Sequence, residues 1–191
     1  MERGSEESSL VQTWNAGWPQ TVGEFEALVE VFQDRLVRYA FRRLGNHQDA
    51  EDAIQEVFVR AYRNPMPKGR VKQVGSYLYR MAANACTDFL RRRKHRLQEI
   101  SIDTVEAKIV EIGASPSDEA VAAEELRRLN QLVDRLPRRQ AEVVRLRVFD
   151  ELSFAEIAEV VGRSVPTVKS RFRYGLERLR PWIEKGWEVS L

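Results

Sequence analysis

One cysteine, Cys86, stands in a chain of 191 residues. That excludes an internal disulfide and any zinc site built from several thiolates of one chain. Histidine is nearly as scarce, with only His47 and His95, so no metal and no other cofactor is expected. No apolar run reaches the length of about 18 residues that a membrane-spanning helix needs, so membrane insertion is not expected. The opening MERGSEESSLVQTW carries acids and no long apolar core, unlike a secretory signal, which leaves a cytoplasmic location as the expectation. An excess of one charge is also lacking: 31 basic side chains face 29 acidic ones, for a net charge of +2. If nucleic acid is a partner, the cations must be gathered locally.

Proline and glycine are sparse, at 7 and 10 residues, and both are nearly absent from several long stretches where apolar residues recur at helical spacing. That spacing predicts helices over 22–44, 47–63, 75–95, 119–135, 138–149, 153–161 and 164–186, with no strand signal. Gln98 to Glu119 differs: Glu99, Asp103, Glu106, Glu111, Asp118 and Glu119, with Glu125 just beyond, face one base, Lys108, and the stretch ends in the loop-like GASPS. The expected fold is all-α, two small helical domains joined by a flexible acidic linker. Residues 1–20 form a tail, 21–96 a first domain, 97–118 the linker and 119–187 a second domain. Trp14 and Trp18 argue against complete disorder of the tail.

In the second domain, Ser153 followed by Glu156 forms a capping-box pattern before the apolar stripe Phe154, Ile157, Ala158 and Val161. Gly162 is placed to end that helix in a left-handed conformation, and Ser164 to cap the next, with Pro166 in its first turn. Two helices joined by a short glycine turn form a helix-turn-helix pattern. Winding the second helix from Thr167 puts Val168, Phe172, Gly175, Leu176 and Leu179 in one arc of about 80° to 180°, the expected buried side. Ser170, Arg173, Tyr174 and Glu177 lie opposite, with Thr167 and Lys169 on the margins and Arg171 and Arg178 along one edge. Hydroxyls, an aromatic and arginines are donors suited to base edges and phosphates in a major groove. A merely solvated face is the plainer alternative, and the capped helix and glycine turn in front of it weigh against that.

The first domain carries two further faces. In GNHQDAEDAIQEVFVRAY, Ala50, Ile54, Val57, Phe58 and Ala61 make the apolar arc, and Asp49, Asp52 and Glu56 cluster on the far side. Those carboxylates suit a solvated face, a docking surface for a basic partner or a divalent-metal site, and composition does not separate the first two. In GSYLYRMAANACTDFLRRRKHR, Leu78, Met81, Ala82, Ala85, Cys86 and Phe89 make the apolar arc, so Cys86 is read as a small core residue. Arg80, Asn84, Thr87 and Arg91 lie opposite, and Arg91 to Arg96 form a basic end denser than a helix dipole requires. Tyr77 and Tyr79 just upstream add aromatics on which bases can stack.

The order DAEDAIQEVFVRAY, then GSYLYRMAANACTDFLRRRK, then the acidic linker, then LPRRQAEVVRLRVFDELSFAEIAEVVGRSVPTVKSRFRYGLERLR resembles the extracytoplasmic-function sigma factors of bacteria, from about Phe25 to Leu179. The resemblance implies a non-enzymatic factor that binds RNA polymerase core, at the clamp helices of the largest subunit and at the flap. It would recognise the −10 and −35 promoter elements and promote transcription initiation in a stress or envelope response. Core binding then falls on Asp49, Asp52, Gln55 and Glu56. The loop from Asn64 to Val74 and Tyr77, Arg80, Asn84, Thr87, Asp88 and Arg91 would meet the −10 element. Thr167, Lys169, Ser170, Arg171, Arg173 and Tyr174 would meet the −35 element. An anti-sigma factor is a further partner that the resemblance suggests. The family commonly has tryptophan at the position of Tyr77 and phenylalanine at that of Val74, and Arg173–Tyr174 is not its usual pair, so the promoter sequence is open.

Three other readings compete. A two-domain regulator would bind duplex DNA without polymerase, a metal-dependent enzyme would need Asp49 and Asp52 for activity, and an adaptor would use both charged faces for proteins only.

Overall fold

A computed structural model describes residues 18–65, 74–100 and 128–184. Residues 1–17, 66–73, 101–127 and 185–191 lie outside the described residues, and with them most of the expected tail, most of the expected linker and the first part of the helix expected at 119–135. Among the described residues there are seven helical stretches and no strand. The chain divides into two units, Met1–Val110 and Glu111–Leu191.

The first unit is a three-helix bundle of α1 (Val22–Leu44), α2 (His47–Arg63) and α3 (Val74–Ile100), each packed on the other two. Thr21 caps α1 by accepting from the Glu24 amide, and Asn46 caps α2 by accepting from the Asp49 amide. Leu28, Phe32, Leu36 and Ala40 recur every fourth residue on α1 and are all but fully buried. They close on Ala50, Ile54, Val57 and Ala61 of α2 and on Val74, Leu78, Ala82 and Cys86 of α3. Each large apolar side chain so buried contributes about 1.5–3 kcal/mol before chain entropy is counted. α3 continues to Ile100, past the expected domain end at 96.

The second unit starts, within the described residues, with α4 (residues 128–134), followed by α5 (Arg138–Val148), α6 (Phe154–Val161) and α7 (Val165–Glu184). Leu132, Val133, Leu136, Ala141, Val144 and Leu179 form its core, with Phe149, Phe172 and Trp182 packed against the edge. Arg145, on α5 and 9% exposed, bonds Asn130 at 3.2 Å and pairs with Asp134, tying α5 to α4. α5 and α7 approach so closely that a Cβ on Gly175 would lie 2.9 Å from Val144 Cγ2.

Two expectations about faces need correction. Leu176, placed on the buried arc of α7, is 42% exposed, because α5 contacts α7 at Gly175 and Leu179 and leaves the arc's margin open. On α6 the third buried position is Val160, with Val161 only half-buried. An eight-residue helix that turns at Gly162 packs on both sides of its last turn.

Candidate nucleic-acid interface

Helical spacing on α2 leaves Asp52 and Gln55 exposed, with Asp49 and Glu56 half-buried beside them. Asp52 accepts from Gln48 Nε2 at 3.3 Å, an exposed contact that competes weakly with water. Glu56 is more committed: Arg60 pairs with it at 2.5 Å, and Arg92 of α3 comes within 4.0 Å. The acidic face is therefore open at Asp52 and Gln55, while Glu56 is engaged at the surface by the exposed Arg60 and Arg92. Among the described residues, no group of three or more His, Cys, Asp or Glu side chains is arranged to hold a metal ion.

On α3 the positions 77, 80, 84, 88 and 91 follow the helical repeat and make one stripe. Arg80, Asn84, Asp88 and Arg91 are exposed, and Asp88 pairs with Arg91 at 3.5 Å. Arg92, Arg93, Lys94 and His95 extend the exposed basic end. Thr87 is half-buried, and its hydroxyl is engaged: it donates to the Ala83 carbonyl at 2.8 Å and accepts from Arg43 Nη2 at 3.2 Å. Arg43, which periodicity did not single out, also donates to the Tyr39 hydroxyl at 2.6 Å. Tyr79 cannot stack on a base as expected. It is 2% exposed and packs edge-on against Tyr39, because position 79 falls on the inner side of the stripe. Tyr77 keeps partial exposure, with the indole of Trp18 against it at 5.6 Å between centroids.

The helix-turn-helix of the second unit is built as its local sequence dictates. Ser153 and Glu156 form both bonds of the capping box, Glu156 N to Ser153 Oγ at 3.2 Å and Ser153 N to Glu156 Oε2 at 2.7 Å. Gly162 takes φ 61°, ψ 46°, the left-handed conformation that lets the chain reverse into α7. Ser164 and Thr167 hydroxyls meet at 2.9 Å in the first turn of α7. Phe154 and Phe172 meet edge-on at 5.4 Å, locking α6 to α7. With Val168, Gly175 and Leu179 turned inward, Lys169, Ser170, Arg173 and Tyr174 are exposed together, and Thr167 is half-buried. Arg173 lies 5.0 Å from the Tyr174 ring centre and 3.6 Å from Glu177. Arg171 is half-buried, and its pKa is lowered by that burial and by the neighbouring cations Arg139 and Arg163.

Residues 28–96 match Sigma-70 region 2, and residues 126–179 match Sigma-70, region 4. The ECF RNA polymerase sigma factor SigW of Bacillus subtilis (strain 168) is 33% identical over 165 residues, spanning 82% of this chain and 87% of its own. The chain belongs to the ECF RNA polymerase sigma factors. As an ECF sigma factor it is a transcription initiation factor that recognises promoters. The RNA polymerase sigma-E factor of Streptomyces avermitilis is 32% identical over 162 residues, covering 84% of this chain and 86% of its own. Among solved structures, the sigma factor RpoE in complex with the anti-sigma factor NepR from Bartonella quintana shares the fold. The TM-score is 0.67 at 19% identity, over 85% of this chain and 98% of that one. The two matched regions fall on the two units that carry the stripes described above. No helix among the described residues is long and apolar enough to cross a membrane.

Proposed function

We propose that the ECF sigma factor divides its work between its two units. Within the first unit, the region of residues 21–96 docks on polymerase core through Asp52 and Gln55 of α2, with Asp49 and Glu56 at the margin. It also holds the melted −10 element on the α3 stripe of Tyr77, Arg80, Asn84, Asp88 and Arg91, with Thr87 shaping that stripe from within. Within the second unit, the region of residues 119–187 lays α7 in the major groove of the −35 element. There Lys169, Ser170, Arg173 and Tyr174 meet base edges, while Thr167 and Arg171 hold the backbone. The observation that carries this reading is the joint exposure of those four α7 side chains over a buried Val168–Gly175–Leu179 seam behind a capped helix and a left-handed glycine.

The factor performs no chemistry of its own; strand opening comes from trapping unstacked bases, each of which costs a few kcal/mol to extrude. It works in the cytoplasm, where promoter DNA and polymerase meet. An anti-sigma factor, as seen bound to the related Bartonella protein, is the partner expected to hold it inactive until an envelope or other stress signal.

Co-elution with purified bacterial RNA polymerase core tests the docking assignment. The wild type co-elutes; Asp52→Arg, which reverses an exposed charge, weakens the complex. A wild type that fails to bind core while shifting duplex DNA alone would overturn the proposal in favour of a free-standing regulator. With the holoenzyme, Arg173→Ala lowers −35 affinity. Arg171→Ala, which removes a cation from the phosphate backbone, reduces the salt dependence of binding by about one unit of log–log slope.

A further inference from the structure

Trp18 lies outside the matched span 28–96 and three residues ahead of the cap of α1, yet only 7% of it is exposed. Its place is fixed by the turn that starts α1. Gln20 Nε2 donates to the Trp18 carbonyl at 2.7 Å, the Gln20 amide donates to Glu24 Oε2 at 2.7 Å, and the Glu24 amide returns to Thr21 Oγ1 at 3.2 Å. The indole this turn delivers meets Tyr77 at 5.6 Å between centroids and 83° between planes, the edge-on geometry aromatic pairs favour. Tyr77 opens the α3 stripe, one turn ahead of Arg80, and it remains half-buried where its neighbours Leu78 and Tyr79 are fully inside.

Trp18 belongs to the buried apolar set of the first unit, and Leu28, Phe32, Leu78 and Val74 are at most 1% exposed with it in place. Beyond that burial, its indole bears on the aromatic ring that stands at the end of the α3 stripe. A tyrosine at a helix surface samples several staggered rotamers, and a ring wedged edge-on against it removes that freedom before DNA arrives.

From this we infer that Trp18 is a positioning residue for promoter recognition, acting through Tyr77; the inference rests on the assignment of the α3 stripe to the −10 element. Trp18 touches no base. It holds the Tyr77 ring in the orientation in which a base at the start of the −10 element rests on it.

The test uses full-length protein with polymerase core and a linear DNA pool randomised across the −35 and −10 regions, with transcripts sequenced to give base preference at each position. Trp18→Ala, Trp18→Phe, Tyr77→Ala and Asn84→Ala are compared with wild type, and co-elution with core is measured for each. The expected result is that Trp18→Ala relaxes preference at the position affected by Tyr77→Ala, by about three- to tenfold, the scale of one aromatic contact. Trp18→Phe keeps most of the preference, and core binding is unchanged. If Trp18→Ala retains the wild-type pattern while Tyr77→Ala loses it, the inference is overturned and the stripe assignment stands. A uniform loss of transcripts with no change in pattern, or loss of core binding in both Trp18 variants, makes Trp18 a structural residue only and also overturns it. If neither Tyr77→Ala nor Asn84→Ala alters any −10 position, the stripe assignment itself fails and the inference falls with it.

Discussion

A single methyl group added at Gly175 should have opposite effects in two backgrounds. Gly175 is buried in the middle of α7, where α5 packs against it, and a Cβ there would lie 2.9 Å from Val144 Cγ2. Leu136 Cδ1 at 3.6 Å and Gln140 Cβ at 3.7 Å would be ordinary contacts. Val144 is β-branched and 2% exposed, with no flexible arm to swing aside. Two effects compete. Glycine to alanine inside a helix gains about 1 kcal/mol, and overpacking a close-packed core costs about 1–3 kcal/mol. On balance Gly175→Ala destabilises the second unit by about 1 kcal/mol. Val144→Ala removes the obstructing methyls, at a cost of about 0.8 kcal/mol for each plus that of the cavity left behind. In that background Gly175→Ala stabilises by about 1 kcal/mol, so the two sites couple by about 2 kcal/mol. The measurement is a urea titration of the full-length protein followed by NMR, reading amide signals of α7 so that the second unit is scored by itself. Binding to −35 DNA should follow the same pattern, because Ser170, Arg173 and Tyr174 ride on the stretch that would be pushed away. Equal destabilisation in both backgrounds would refute close approach to Val144 as the reason for the glycine.

The Arg145–Asp134 pair is lopsided, with side chains 11% and 59% exposed, so its two halves should not be equivalent. Asp134→Ala leaves a buried cation with the neutral Asn130 amide but without its counter-charge, and costs about 1–3 kcal/mol, below the range for fully buried pairs because water reaches Asp134. Arg145→Met keeps the packing and costs less than about 1.5 kcal/mol; the same urea titration ranks them. Glu151 and Gly162 both adopt positive φ, at 57° and 61°. Gly162→Ala therefore destabilises by about 1–2 kcal/mol, whereas Glu151→Gly is neutral or stabilising by up to about 1 kcal/mol, a difference in sign that thermal melts will show.

How much of this is legible in the sequence depends on whether a feature is local. The bounds of α1 and α2, the capping box at Ser153, the left-handed Gly162 and the inward turn of Cys86 follow from nearest neighbours and helical period, and all are as expected. Periodicity also sets the side of each helix that faces inward. It does not set how wide the packed seam is, since that depends on the partner's angle of approach. Hence Leu176, expected in the core, lies at the open margin, and Tyr79, expected at DNA, lies inside. Pairings between distant residues leave no trace in spacing. Nothing in DAEDAIQE says that Glu56 will meet Arg92, and nothing in the first twenty residues says that Trp18 will seat on Tyr77.

Thr87 is where the local and the distant readings part, and it gives a sharp test. Helical spacing sets it on the α3 face beside Asn84 and Arg91, where a hydroxyl suits a base edge. Yet its hydrogen goes to the Ala83 carbonyl, and one lone pair takes the Arg43 guanidinium that also bonds Tyr39. A hydroxyl so engaged acts as a spacer between α1 and α3. Thr87→Val keeps the shape and the methyl while removing both bonds, one of them charge-assisted, so the first unit should lose about 1–2 kcal/mol. Base preference at the −10 element should stay as in wild type, whereas Asn84→Ala, which removes an exposed amide, should relax one position without a comparable loss of stability. Thr87→Val altering base preference as strongly as Asn84→Ala, with the melting temperature unmoved, would mean that the Arg43 bond does not hold in solution. The hydroxyl would then belong to the promoter.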